Sequence, residues 1–169
     1  EKNNTDIDFF GKSLVIEPYL ANIVLAGTVL DKSNFDKKLD LIEGICSGSM
    51  HVSLAFAEPK NSYEYLNPNT NLSDNNKLNG TKSLVLNGKN ASKIIVSCVK
   101  DNSLALVLVD QDANGVSFNS FKTIDEQTCA EYIFDNVSIE DANIIASGDE
   151  ANKLLLEAIN LATLCVSAE

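Results

Sequence analysis

The chain has 169 residues, 44% of them apolar, which is enough to bury a core and too many for a disordered segment. Thirteen lysines and no arginine stand against 24 carboxylates, giving a formal charge of −11. That balance argues against nucleic acid and against anionic membrane surfaces, which need a positive field and, for bidentate phosphate contacts, guanidinium groups. No apolar run approaches the ~18 to 20 residues that span a bilayer, and the polar start Glu1-Lys2-Asn3-Asn4 is not a signal peptide. The sequence reads as a soluble, cytoplasmic protein.

From about Phe9 to Leu30 the chain is strongly apolar at helical spacing, through Leu14, Val15, Tyr19, Leu20, Ile23 and Val24. Pro18 marks either a break or the first turn of a second helix. A further helix is predicted from Asn34 as N-cap, through Phe35, Leu39, Ile42 and Ile45, to a stop at Gly48. The apolar period then changes from near 3.6 to near 2, the clearest boundary in the chain.

Strands are predicted at His51–Phe56, Lys82–Asn87, Lys93–Val99, Ser103–Val109 and Thr128–Phe134. Turn chemistry separates them at Asn79-Gly80, Asn87-Gly88, Asp101-Asn102 and Asn114-Gly115. Short strands at this spacing predict an α+β protein with a small antiparallel β-barrel or sandwich between flanking helices. The last segment, Glu150 to Glu169, is apolar nearly all round and must be buried on several sides. It carries no glycine, asparagine or proline stop, so the sequence reads as an internal piece of a longer chain. Three regions follow: helices over 1–48, a β-domain over 49–147, and the first helix of a C-terminal helical region over 148–169.

Few residues point to chemistry on their own. Cys46, Cys98, Cys129 and Cys165 are far apart, form no C-x-x-C pair, and sit in apolar stretches where free cysteine behaves as a small buried hydrophobe. Asp110-Gln-Asp112-Ala-Asn114-Gly115 opens like a calcium loop, yet Phe121 stands where the bidentate glutamate belongs, so a turn is predicted there and no metal site. His51, the only histidine, has no nucleophile pattern beside it and reads as a structural hydrogen-bonding residue. There is no Walker-type loop, no G-x-G-x-x-G and no G-x-S-x-G.

The order of segments says more. Leu54-Ala-Phe-Ala-Glu58-Pro59, then Leu78-Asn79-Gly80-Thr-Lys82-Ser-Leu-Val-Leu-Asn87-Gly88, resembles the A-x-T-E-P strand and L-N-G-x-K hairpin of the acyl-CoA dehydrogenase family's middle domain. Leu106–Asp110 with Gly115-Val116 is similar to its F-L-V-D…G-V hairpin, and Phe134-Asp135-Asn136-Val137 to its F-D-N-V strand. Phe10-Gly11 through Glu17-Pro18-Tyr19-Leu20 looks like the preceding helices of the pimeloyl-CoA dehydrogenase small-subunit type.

The resemblance implies FAD-dependent α,β-dehydrogenation of an acyl-CoA thioester, in which a carboxylate removes the α-proton while flavin N5 takes the β-hydride. It places the flavin against Phe56, Ala57, Leu84 and Leu86, and the substrate near Ser62 and Tyr63. The side chains depart from the pattern. Ala57 stands for the flavin-binding threonine, leaving backbone groups near Phe56 and Ala57 as substitutes. Leu84 and Leu86 replace a tryptophan and a threonine, and Ser62-Tyr63-Glu64 replaces G-S-D. On the terminal helix Asn160 and Thr163 align with the family's D-x-x-R. The catalytic base is expected beyond Glu169, with Glu157 the nearest carboxylate on this helix.

Two functions follow. One is an active FAD enzyme, in the full-length protein or a complex. The other is a catalytically degenerate subunit of a heteromeric acyl-CoA dehydrogenase. Both imply a homo- or hetero-oligomer of the family's subunits, and the present residues alone are expected to be inactive.

Overall fold

A computed structural model describes residues 18–59 and 63–168. The first helix, α1, begins just after Pro18, whose carbonyl accepts a bond from Asn22 N–H at 2.9 Å. This favours the first-turn reading of that proline, and the apolar stretch before it lies outside the described residues. Helix α1 runs with π-type hydrogen bonding over Leu20–Gly27 and continues directly as an α-helix over Thr28–Lys32. Helix α2, Lys38–Cys46, buries Leu41 and Ile45, one turn apart. It starts later than the predicted Asn34 cap, because the Asn34 amide donates instead to Glu150 at 3.0 Å, while Ser33 Oγ accepts from Phe35 N–H.

Eight strands follow: β1 Val52–Ala55, β2 Asn71–Leu72, β3 Lys77–Leu86, β4 Lys93–Lys100, β5 Ser103–Asp110, β6 Val116–Lys122, β7 Thr128–Ser138 and β8 Ile144–Ser147. They form one sheet in the order β6-β7-β3-β2-β4-β5-β8, with β1 also pairing β4. The expectation of an antiparallel barrel is corrected on two counts. β1 and β2 both run parallel to β4, so the sheet is mixed. Its end strands β6 and β8 do not pair with each other, so it stays open. The chain leaves β8 straight into α3, Gly148–Ala168, instead of closing the sheet.

The helices before and after the sheet do not bracket it. All three share one apolar cluster with Val52, Leu54, Ile95, Leu104, Leu106 and Leu108. The alternate residues of the central strands, Ile94, Val96, Cys98, Ala105, Val107 and Val109, point into a second cluster with Leu78, Val85, Tyr132 and Phe134 from β3 and β7. Strands β4 and β5 are thus buried on both faces, which is why they read as continuous apolar runs.

Two predicted turns differ in outcome. Asp101 and Asn102 both adopt positive φ between β4 and β5, as a two-residue type I′ hairpin requires. Asn79-Gly80 is no turn but an irregularity inside β3, where the register against β7 shifts between Leu78 and Gly80. Gly80 has φ +150° and an added Cβ would lie 2.5 Å from Thr70 Oγ1, so glycine is what lets the 69–70 segment approach so closely.

Helix α3 buries Ala151, Leu154, Leu155, Ala158, Ala162 and Cys165. Leu156, Leu161, Leu164 and Val166 remain exposed, so the described residues cover one face of this helix. Of the cysteines, Cys98, Cys129 and Cys165 are buried as predicted, whereas Cys46, the last residue of α2, is exposed. No helix among the described residues is long and apolar enough to cross a membrane.

Candidate functional site

Strand β1 is buried on both faces and carries the chain into Phe56-Ala57-Glu58. Glu58 is 5% exposed, and its carboxylate accepts five hydrogen bonds. Oε2 takes Asn69 N–H at 2.6 Å and the Asn69 amide at 3.1 Å. Oε1 takes Thr70 N–H at 2.9 Å, the Thr70 hydroxyl at 2.7 Å and Lys82 Nζ at 2.7 Å. The Lys82 side chain, on β3, has no solvent access, and its ammonium also donates to Ser97 Oγ of β4 at 3.0 Å.

Burial pushes the Glu58 carboxyl upward, but hydrogen bonds from Lys82 and Thr70 and the lysine's charge outweigh it and hold the group at about 2. Burial likewise pulls the Lys82 ammonium below the ordinary lysine range, opposed by its bond to Glu58 and that carboxylate's charge. With its geometry saturated by donors, the pair stays ionised; a buried ion pair short of partners would not.

This network joins the two segments that the resemblance sets against a flavin. Beside Glu58, the Ala57 carbonyl accepts Ser83 N–H at 2.9 Å. Beside Lys82, the register of β3 against β7 shifts before Val85, which puts Leu84 at φ +51° with its side chain 51% exposed. A leucine in the left-handed region is strained, by roughly 1 to 2 kcal/mol. The Leu86 carbonyl accepts the buried Ser53 hydroxyl at 2.8 Å, and its side chain packs against the helix-side cluster. Phe56 packs on the same cluster, with Tyr65 edge-on to its ring at a centroid distance of 5.2 Å.

Phe56, Ala57, Leu84 and Leu86 therefore come together on neighbouring segments. The remaining candidates lie elsewhere. Tyr63 is 87% exposed, and Ser62 lies outside the described residues. Glu157 on α3 forms an ion pair with Lys32 of α1 at 2.9 Å, and hydrogen bonding to that lysine lowers its pKa, which weakens it as a base. Asn160 and Thr163 are exposed, the latter donating to the Ile159 carbonyl at 2.8 Å. His51 Nδ1 lies 2.7 Å from the Asn22 amide, a hydrogen-bonding role of the kind predicted. Asp110 pairs with Lys93.

The sequence reading missed the Glu58–Lys82 pair and Tyr65. Lys82 had left a signal, since it falls in phase with Leu78 on the inward positions of β3, where a lysine needs a partner. Tyr65 left none, because its contact depends on how an irregular segment folds back.

Residues 53–137 match the family described as acyl-CoA dehydrogenase, middle domain. The chain belongs to the acyl-CoA dehydrogenase family.

No curated protein matches it in sequence. Among solved structures, it is similar to a variant of the Tcur3481-Tcur3483 steroid ACAD, with 22% identity and a TM-score of 0.80 over 96% of this chain and 43% of that one. The ChsE4-ChsE5 complex from Mycobacterium tuberculosis gives 19% identity and a TM-score of 0.82, again over 96% and 43%. A glutaryl-CoA dehydrogenase from Mycobacterium smegmatis in complex with FADH2 gives 19% and 0.76, over 86% and 39%. At these identities the likeness is one of fold, and the chain spans less than half the length of each relative.

Family membership allows the positions that the resemblance sets against a flavin to be tested against the cofactor. They offer a flavin ring a methyl group at Ala57 and aliphatic side chains at Leu84 and Leu86, while the carbonyls of Ala57 and Leu86 already accept bonds within the chain. Neither side-chain atom left buried without a partner among the described residues, Asn22 Oδ1 and Asn87 Nδ2, belongs to these four residues. The side chains at Ala57, Leu84 and Leu86, with no donor and no aromatic face, do not fit a flavin.

Proposed function

We propose that this chain serves an acyl-CoA dehydrogenase-type oxidoreductase, a cytoplasmic oligomer that carries out FAD-dependent α,β-dehydrogenation of acyl-CoA thioesters. Its nearest type is the pimeloyl-CoA dehydrogenase small subunit, and it divides into helical, β and helical regions at 1–48, 49–147 and 148–169. The observation that carries this reading is the middle-domain match itself, which runs from Ser53 to Val137 and takes in both partners of the buried Glu58–Lys82 pair.

Within that assembly the chain is read as a catalytically degenerate subunit. The specific support is the edge at Ala57, Leu84 and Leu86, where neither a hydroxyl nor an aromatic face is present. Two of the structural relatives carry paired names, one of them described as a complex, in keeping with a heteromeric arrangement. The subunit's contribution is then to complete the fold and the subunit contacts around a partner's active site.

The full-length protein co-expressed with a more complete acyl-CoA dehydrogenase subunit tests this. Co-elution on size exclusion, with acyl-CoA-dependent reduction of an artificial electron acceptor, is the expected result. Separate elution would overturn the heteromeric reading, and a co-eluting complex that turned over no acyl-CoA would overturn the dehydrogenase reading.

A further inference from the structure

The Glu58–Lys82 network and the strand edge beside it form one hydrogen-bonded unit. Glu58 is anchored to Asn69 and Thr70 on one side and to Lys82 on the other, and Lys82 is anchored in turn to Ser97 of β4. These anchors hold Ala57 against Ser83, whose N–H donates to the Ala57 carbonyl at 2.9 Å. Three residues further along β3, the Leu86 carbonyl accepts from the Ser53 hydroxyl. Tyr65 stands edge-on to the Phe56 ring, so the one aromatic side chain at the edge already has an aromatic partner from its own chain. Leu84 presents a half-exposed aliphatic side chain, and Phe56, Ala57 and Leu86 are partly exposed beside it.

We infer that this edge is a closed structural seam that takes no flavin, so that the flavin of the assembly sits in a partner subunit carrying hydroxyl and aromatic side chains at the matching positions. The inference rests on the dehydrogenase-assembly reading for the existence of that partner. Its claim about this chain stands on the seam alone. A ring system that needs hydrogen-bond donors and a π face gains neither from the side chains of Ala57 and Leu84, which set polar atoms of the ring against an apolar surface at these positions.

The test is an FAD titration of the full chain by itself, followed by flavin fluorescence and by retention of the visible flavin band through gel filtration. A cooperative thermal transition establishes that the sample is folded. The wild type is expected to retain no flavin. The double variant Ala57→Thr/Leu84→Trp, which returns a hydroxyl and an aromatic face, is expected to bind at least about tenfold more tightly than the wild type. A wild-type chain that retains one flavin overturns the inference, as does a folded double variant that binds no better than wild type. Turnover plays no part in either readout, so a failure of the dehydrogenase reading shows separately, as an assembly that does not oxidise acyl-CoA.

Discussion

A lysine without solvent access persists in this fold because a carboxylate lies 2.7 Å from its ammonium and a serine hydroxyl lies 3.0 Å away. Lys82→Met leaves Glu58 buried without its cation and is expected to destabilise the chain by about 3 to 5 kcal/mol in urea unfolding. The double replacement Glu58→Leu/Lys82→Met removes both charges and should recover most of that loss, as the two sites are in contact and their effects do not add. The pair also sets an acid response. The folded Glu58 carboxyl sits at about 2 against an ordinary 4.5, so its contribution is fully present above the ordinary value and is lost as pH falls toward 2. On the order of 3 kcal/mol of stability should disappear across that window, and Glu58→Gln should remove this part of the pH dependence. Both residues belong to motifs visible in the sequence, but nothing in a string of letters shows that positions 24 apart meet behind a strand. Leu84 is the opposite case, a residue whose strain no propensity would reveal. Leu84→Gly should leave stability unchanged or raise it by up to about 1 kcal/mol, because relief of positive φ offsets the loss of a half-exposed side chain.

Strands β1, β3, β4, β5 and β7 were legible because each carries either alternation or a doubly buried apolar run. Strand β6 was not, since Val116–Lys122 is almost wholly exposed and serine, asparagine and phenylalanine give it no inward face. Strands β2 and β8 are too short, at two and four residues, to carry a period. The barrel expectation failed because a period of 2 reports which face is buried and not which strands are neighbours, and the parallel pairing of β1 with β4 joins segments about forty residues apart. Gly80 shows how a turn signal can mislead, since the residue serves a close approach to Thr70 in mid-strand. Gly80→Ala should force Thr70 away from Glu58 and cost about 1 to 3 kcal/mol, seen as a lower urea midpoint with an unchanged slope. Helix α3 offers a matched comparison. Leu155→Ala, at a fully buried position, should destabilise by about 2 to 5 kcal/mol, whereas Leu164→Ala, at a 65% exposed one, should change stability by less than about 0.5 kcal/mol.

At the scale of the molecule, segment order located the family where single motifs did not. The family's middle domain is matched, while the side chains at Ala57, Leu84 and Leu86, the positions that the resemblance sets against a flavin, are neither polar nor aromatic. The structure adds that the backbone carbonyls at Ala57 and Leu86 each accept a bond inside the chain. The absence of arginine argues against nucleic acid, and Thr163, which the resemblance aligns with the family's arginine, is exposed and donates to the Ile159 carbonyl of its own helix. The account therefore stands on shared catalysis between unlike subunits. Its most direct test is acyl-CoA-dependent reduction of an artificial electron acceptor by the full-length chain, alone and co-purified with a more complete acyl-CoA dehydrogenase subunit. The account predicts turnover in the co-purified complex and none from the chain alone; turnover by the chain alone, or a complex that forms and stays inert, would contradict it.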